Sequence, residues 1–391
     1  MGSPVDGLLD ESELSRWRAE FPELAQRVHL ANCSHGAQSR AAAAGVEAYM
    51  TSWREQGMDW DAWLAELDGA RADFARLINA RPEDVAVGSS VSQLATAVAG
   101  AFNYGAGGSR ILTSDAEFPT VPQIWLAHRK FGAKVDIVPL SRDQGGAPVV
   151  DPADILRHIE KDTVLVSVPQ TYYLNGALTD IRPIADAAHR AGALVFVDAY
   201  QGLGVAPVDV QAEGIDLLVS GTQKFLLGTP GIAFLYVNPR IADQLRPAAT
   251  GWMGRANPFA FKNDDTEYAP GARRFDTGTP PVINAYASRP GMQMLTEIGV
   301  PRIHAHVQAL SRLAYDVAAR YGLEVASPRD VTRKASTVAI RLPDSHAVEV
   351  HLKARGILVA ARGPVVRIAP HFYNTADEME AAVEAVAEGA K

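Results

Sequence analysis

Leu194-Val-Phe-Val-Asp198-Ala-Tyr-Gln201-Gly202, with Asp216-Leu-Leu-Val-Ser220-Gly-Thr-Gln223-Lys224-Phe225 after it, decides how the rest of the chain is read. Each stretch carries a short apolar run, the pattern of a strand buried on both faces of a sheet. A residue able to do chemistry follows each run: Asp198 closes the first, and Lys224 lies just past the second. The carboxyl ends of strands in open α/β sheets are where ligands bind.

Working outward, apolar runs recur at Val85–Val87, Arg110–Thr113, Lys134–Val138, Thr163–Val168 and Ile232–Val237, with a strand predicted over Asp216–Ser220. Helical patterns separate several of them, at Ser92–Phe102, Val121–Phe131, Pro152–Glu160 and Ile181–Ala191. This alternation predicts an α/β fold, with a mostly parallel sheet covered by helices on both faces. Residues 251–281 are rich in Gly, Pro and polar side chains; a loop of that length points to function rather than mere connection. Helices at Asn284–Glu297 and Pro301–Tyr321, then strands at Leu323–Ala326, Thr337–Arg341 and Val365–Ile368, predict a smaller α+β domain at the C-terminus. Helices at His346–Arg355 and Ala376–Glu388 complete it. The expected division is an N-terminal segment (1–40), a large domain (41–250), a loop (251–283) and a small domain (284–391).

The net charge of −8, with no basic run, speaks against nucleic acid or an acidic membrane as partner. The single cysteine, Cys33, excludes an internal disulfide and any cysteine-cluster metal site, and fits a reducing compartment. Neither a secretory leader nor about 18 uninterrupted apolar residues can be found, so a cytoplasmic address is expected.

Asp198 and Lys224 together suit a pyridine cofactor: the lysine takes its aldehyde carbon, and the aspartate keeps the ring nitrogen protonated as an electron sink. Either residue alone is as readily a turn cap or a surface amine. Gly88-Ser89-Ser90-Val-Ser92 stands between a strand and a helix, where small residues and a helix N-terminus favour a phosphate, although serine caps are common in any helix. Phe118 follows another strand end, where a ring can stack on a flat ligand or simply join the core. Arg367 lies inside an apolar strand, so its charge needs a partner or a ligand; a bidentate guanidinium suits a substrate carboxylate. No HExxH, zinc spacing, nucleophile elbow or phosphate-loop lysine is present, and Gly105-Ala-Gly107-Gly108 precedes a strand instead of following one. No metal is expected.

On these residues the chain resembles class V aminotransferases, pyridoxal 5′-phosphate (PLP) enzymes of fold type I, and among them kynureninases and cysteine desulfurases. Asp198-Ala-Tyr-Gln201 with Ser220-Gly-Thr-Gln-Lys224 resembles the desulfurase pattern D-x-x-Q followed by S-G-H-K. The resemblance implies that Lys224 forms the Schiff base, Asp198 meets the pyridine nitrogen and Gln201 the ring hydroxyl. Ser220 and Gln223 would reach the phosphate, with Gln223 in place of the usual His or Tyr, alongside Ser89 and Ser90 of the strand-to-helix segment. Asn32-Cys-Ser34-His-Gly36-Ala-Gln38 resembles the kynureninase segment that lines the substrate pocket, and Glu117-Phe-Pro-Thr120 the segment whose Phe stacks on the cofactor. Thr250-Gly-Trp252 and Arg274-Phe-Asp-Thr-Gly-Thr279 resemble loop segments that touch the phosphate, the second donated by a neighbouring subunit. Arg367, ahead of Pro370-His-Phe-Tyr-Asn374, matches the carboxylate-binding arginine.

Two departures bear on the reaction. Residues 354–367 contain no cysteine, which removes persulfide-forming desulfuration. The kynureninase context, Tyr before the lysine and His after the aspartate, is absent too. The expected protein is a homodimer with shared active sites that acts on an amino acid. The first choice is β-elimination from an S-substituted cysteine and the second is transamination. Epimerisation, kynurenine hydrolysis and a non-catalytic relative stand behind these.

Overall fold

The computed structural model describes residues 7–105, 109–264 and 267–391. Gly107 and Gly108 of the Gly105-Ala-Gly107-Gly108 stretch lie outside them. The first helices are α1 (Glu11–Arg18), α2 (Arg40–Gln56) and α3 (Trp60–Leu77). Then come β1 (Val85–Gly88), α4 (Val91–Ala99), β2 (Arg110–Ser114), α5 (Thr120–Ala127), β3 (Lys134–Val138), α6 (Pro152–His158) and β4 (Thr163–Pro169). The series continues with α7 (Ile181–Arg190), β5 (Leu194–Asp198), β6 (Leu217–Gly221), β7 (Ala233–Val237) and the short α8 (Pro239–Ala242). After it stand α9 (Val282–Ile298), α10 (Val300–Arg320), β8 (Glu324–Val325), β9 (Val338–Arg341), α11 (Ser345–Ala354), β10 (Ala360–Arg362), β11 (Val365–Ile368) and α12 (Ala376–Gly389).

Seven strands form the central sheet in the order β1-β7-β6-β5-β4-β2-β3, with β7 antiparallel to both neighbours and the other pairs parallel. Apart from the edge strand β3, their side chains are buried on both faces, as in parallel sheets covered by helices: one apolar cluster includes Phe74 and Phe234, stacked at 4.6 Å, and the other Trp125 and Phe196. The expected α/β class is present. Helix α7 covers the sheet because Ile181, Ile184, Ala185 and Ala188 recur at helical spacing on one face.

β8 to β11 make an antiparallel sheet, ordered β8-β9-β11-β10, whose far face packs on α10, α11 and α12. Residues 28–31 join this C-terminal unit: Val28–His29 pair in parallel with Ile357–Leu358, and Ala31 bridges to Ala369.

Several boundaries differ from expectation. The strand predicted from Asp216 begins at Leu217; just ahead of it the Asp216 carboxylate accepts from Val195 N–H (2.9 Å) and His189 Nε2 (2.7 Å). The helix predicted from Ser92 starts one residue earlier, with Ser90 Oγ capping Gln93 N–H at 3.1 Å. Helices α2 and α3 answer to no predicted element; Ser39 and Asp59 cap them. The 251–281 loop is anchored by Asp276, which meets Arg71 Nη2 at 2.7 Å and Val87 N–H at 2.9 Å.

Pro290 sits inside α9 and has no N–H to offer the carbonyl of Tyr286 four residues back. Helix α2 passes that carbonyl at Gly45, where an added Cβ would stand 2.2 Å from Tyr286 O. Gly45→Ala should therefore force the two helices apart and lose about 1–3 kcal/mol of stability. The measurement is the urea midpoint at unchanged slope; an unchanged midpoint would refute the close approach.

Candidate active site

The site begins with the turn that follows β6. Lys224 is half-buried, and its backbone is held from three sides. Gly36 N–H donates to Gln223 O at 2.8 Å, and a Cβ on Gly36 would lie 2.6 Å from Lys224 O. Gly204, at φ +99°, passes Phe225 O at a distance that leaves a Cβ only 2.5 Å. His371 supplies the third hold: Phe372 N–H donates to its Nδ1 (2.8 Å), so the proton sits on Nε2, which donates to Phe225 O at 3.0 Å. Burial pushes the His371 pKa down to about 3, so the ring stays neutral in this role.

Asp198 ends β5, 7% exposed, and accepts from Tyr200 N–H at 2.9 Å. Burial raises its pKa, opposed by that hydrogen bond and by the charge of Lys224. Burial lowers Lys224 to about 8, opposed by Asp198 and reinforced by Arg367. The lysine Nζ stands 4.2 Å from the ring centre of Tyr200 and 5.5 Å from that of Phe118.

These groups open on a cavity of about 450 Å³. Of the residues singled out in the sequence, it brings together Lys224, Asp198, Ser89, Ser90, Phe118, Gln201, Gln223, Ser34 and Arg367. Ser89 and Ser90 present the N-terminus of α4; Ser89 N–H donates to Gln93 Oε1 at 2.7 Å, while Gln93 Nε2 donates to Thr277 Oγ1 at 2.6 Å. Phe118 is 39% exposed, an unusual position for a large ring, and meets Tyr173 edge-on at 5.4 Å. Gln201 Nε2 donates to Cys33 O at 3.1 Å, whereas its buried Oε1 has no partner.

Arg367 is 2% exposed and donates to Tyr173 O (3.0 Å), Ser34 Oγ (3.3 Å) and Ala360 O (3.4 Å). Among the described residues no carboxylate pairs with it. Neutral acceptors alone leave the charge of an enclosed guanidinium uncompensated, which is the condition for binding an anion.

Three candidates lie elsewhere. Ser220 sits behind the wall, 1% exposed, with Oγ donating to Gly221 O at 3.1 Å. Trp252 packs among Trp60, Phe259 and Phe261, at 5.6–6.0 Å between ring centres. Thr279 is exposed and lines a second cavity, about 330 Å³, which shares Ser89 with the first.

Sequence reading gave no role to Tyr173, Tyr200, Arg362 or Glu117. The first three line the cavity. Glu117 is enclosed, accepting from Ser167 Oγ at 2.9 Å on one oxygen, with no partner on the other. Burial, and then the charge of Asp198, raise its pKa well above the carboxylate range. Tyr200 could have been found from its place between Asp198 and Gln201. Nothing in the sequence signals that Glu117 meets Ser167.

The residues fit a phosphorylated pyridine aldehyde. An amine and an acid share one enclosure, an exposed ring lies beside the amine, and small residues lead into a helix N-terminus. Gln201 adds an unsatisfied acceptor. Among the described residues no three His, Cys, Asp or Glu side chains gather to hold a metal, and no helix is long and apolar enough to cross a membrane.

Comparison with known proteins agrees with this geometry. The model of the aminotransferase class-V family matches residues 52–381. An uncharacterised aminotransferase of Bacillus subtilis (strain 168), YcbU, is 38% identical over 95% of this chain and 97% of its own length. A kynureninase of Deinococcus radiodurans is 29% identical over 92% of this chain and 88% of its own. Among solved structures, the apo cysteine desulfurase of Thermococcus onnurineus superposes with a TM-score of 0.86 at 21% identity, covering 100% and 99% of the two chains. The cystine C-S lyase C-DES gives 0.85 at 18%, covering 94% and 99%. With a family model matched over most of its length, the chain belongs to the class-V aminotransferases and is a PLP-dependent enzyme.

Proposed function

We propose that the protein is a lyase that removes the β-substituent of an S-substituted cysteine, with Lys224 as its cofactor-bearing base. The observation that carries this reading is the pairing, in one cavity, of an acid-free buried guanidinium with a lysine whose proton is loosely held. PLP, when bound, supplies an electron sink for charge developing at Cα. Asp198 would hold a proton on the ring nitrogen, Gln201 would face the ring hydroxyl, and Phe118 would lie against the ring. Ser89, Ser90 and Gln223 would hold the phosphate. Ser220, behind the wall, would act on it only through the backbone of its turn.

Arg367 grips the α-carboxylate and so fixes which bond at Cα faces Lys224. The freed Lys224 amine takes the Cα proton. A thiolate then leaves from Cβ, and hydrolysis of the remaining fragment gives pyruvate and ammonia. The hairpin of β10 and β11 carries no cysteine, and Cys33 stands on another wall, from the N-terminal segment. This arrangement favours release of the thiol over its capture on the protein. Transamination is the second reading, favoured by the description of the Bacillus relative as an aminotransferase.

The cofactor-loaded protein, given one S-substituted cysteine and no keto acid, should release thiol and pyruvate continuously. Release that stops at one equivalent would make it an aminotransferase, which needs a second substrate to restore its cofactor.

The lowered lysine pKa gives a signed pH dependence for cofactor uptake. The neutral amine is the nucleophile and accumulates as pH rises through about 8. Reconstitution of cofactor-free protein should accelerate several-fold between about pH 7 and 8 and flatten above 9. A rate still climbing to pH 10 would mean an unperturbed lysine.

We further propose a homodimer with shared sites. Phe259 (46% exposed) and Phe261 (74%) pack against Trp60 and Trp252, with Trp53 (56%) linked to them through Tyr49 and Trp63, an apolar surface of the kind that marks an interface. Thr279, exposed nearby, would reach the phosphate end of the partner's site. Sedimentation at assay concentration should give a dimer; an active monomer would contradict it.

A further inference from the structure

Arg362 is left without a task by the reading so far. It lies on β10 and lines the same cavity as Arg367. The antiparallel register sets Ala360 opposite Arg367 and Arg362 opposite Val365. Alternate residues of a strand share a face, so both arginines leave the same side of the hairpin. The opposite side of β11, Val366 and Ile368, is sealed in the C-terminal core. Gly363, at φ +53°, turns the hairpin tightly and keeps the two cations close along the chain.

Their surroundings differ. Arg367 is enclosed and its donors already meet two carbonyls and a hydroxyl. Arg362 is exposed and, among the described residues, no hydrogen bond or ion pair engages it. Asp198 is the one acid among the described lining residues, and it faces Lys224. After burial, Asp198 and Cys33, the fields of Arg367 and Arg362 reach Lys224 and oppose its protonation. One carboxylate satisfies one guanidinium; the cavity wall still carries a second, unneutralised one.

We infer that Arg362 selects substrates whose side chain ends in an anionic group, a carboxylate or an oxidised sulfur, while Arg367 takes the α-carboxylate. This rests on the amino-acid reading above and narrows its substrate class. The planar fork of Arg362 matches a two-oxygen anion. Its position at the open side of the cavity lets it meet the far end of a side chain whose α-carboxylate is already held inside.

The test is calorimetric titration of the cofactor-loaded protein with acids that carry no amine. Succinate and glutarate are compared with butyrate and valerate, their single-carboxylate counterparts. The diacids should bind roughly ten- to a hundredfold more tightly, the range of one charge-assisted hydrogen-bonded pair. Arg362→Gln should collapse that ratio to within about twofold, Arg362→Lys should keep part of it, and Arg367→Gln should weaken both classes. Equal binding in the parent protein, or a ratio that survives Arg362→Gln, overturns the inference. None of these acids can react, so the outcome is independent of whether the protein eliminates β-substituents, which the turnover experiment decides separately.

Discussion

An amine and a carboxyl enclosed together at the ends of β5 and β6 set the terms for everything around them. Removed from water, each loses its preference for the charged form, and each restores some of it to the other. The result is a lysine poised near neutrality beside an acid with one firm hydrogen bond, from Tyr200 N–H. That balance survives only if both are held where they are. The surrounding structure accordingly spends unusual packing on backbone: Gly36 and Gly204 admit the lysine turn at distances closed to any Cβ, and His371 holds Phe225 O.

Parallel strands are what make such an enclosure possible. In the central sheet β4, β5 and β6 all end at one edge, with Pro169 beside Asp198 and Asp198 beside Val219. The large unit thus supplies the acid, the amine and the aromatic surfaces. The antiparallel C-terminal sheet supplies the cations, on the face opposite its own core. Arg367 leaves the C-terminal sheet on the side that faces the cavity, which is how it stays buried without an acid beside it.

Much of this was legible in the sequence, and the exceptions have physical causes. Strands buried on both faces leave uninterrupted apolar runs, so the sheet could be read to within a residue or two. Helix α2 escaped because its alanine-rich, largely exposed sequence shows no sharp stripe; α3 does carry one, Trp63-Leu67-Ala70-Phe74-Leu77, which went unread. Most of the nine site residues converge because they sit at or just past a strand end or at a helix start; Arg367 comes from within β11 and Ser34 from the N-terminal segment. Ser220 did not, since residues of a strand alternate faces and the turn to Lys224 begins one residue later. Arg362 was missed because two- and three-residue strands carry no periodic signal; the hairpin, and hence the shared face, exists only in the fold.

The clamp on the lysine turn joins parts of the chain made far apart in time. Residue 36 emerges early in synthesis, residues 223–225 past the midpoint, and residue 371 within the last stretch; the His371 contact alone spans 146 positions. Closing a loop of that length adds little to its equilibrium cost, since the entropy grows only with the logarithm of length, but non-local contacts slow folding. The large unit can build its sheet before the C-terminus exists, yet the carbonyl behind Lys224 waits for the final strand and its histidine. Bracing of the lysine turn is thereby tied to completion of the polypeptide, and a chain cut short before residue 371 would lack the contact behind Phe225 O.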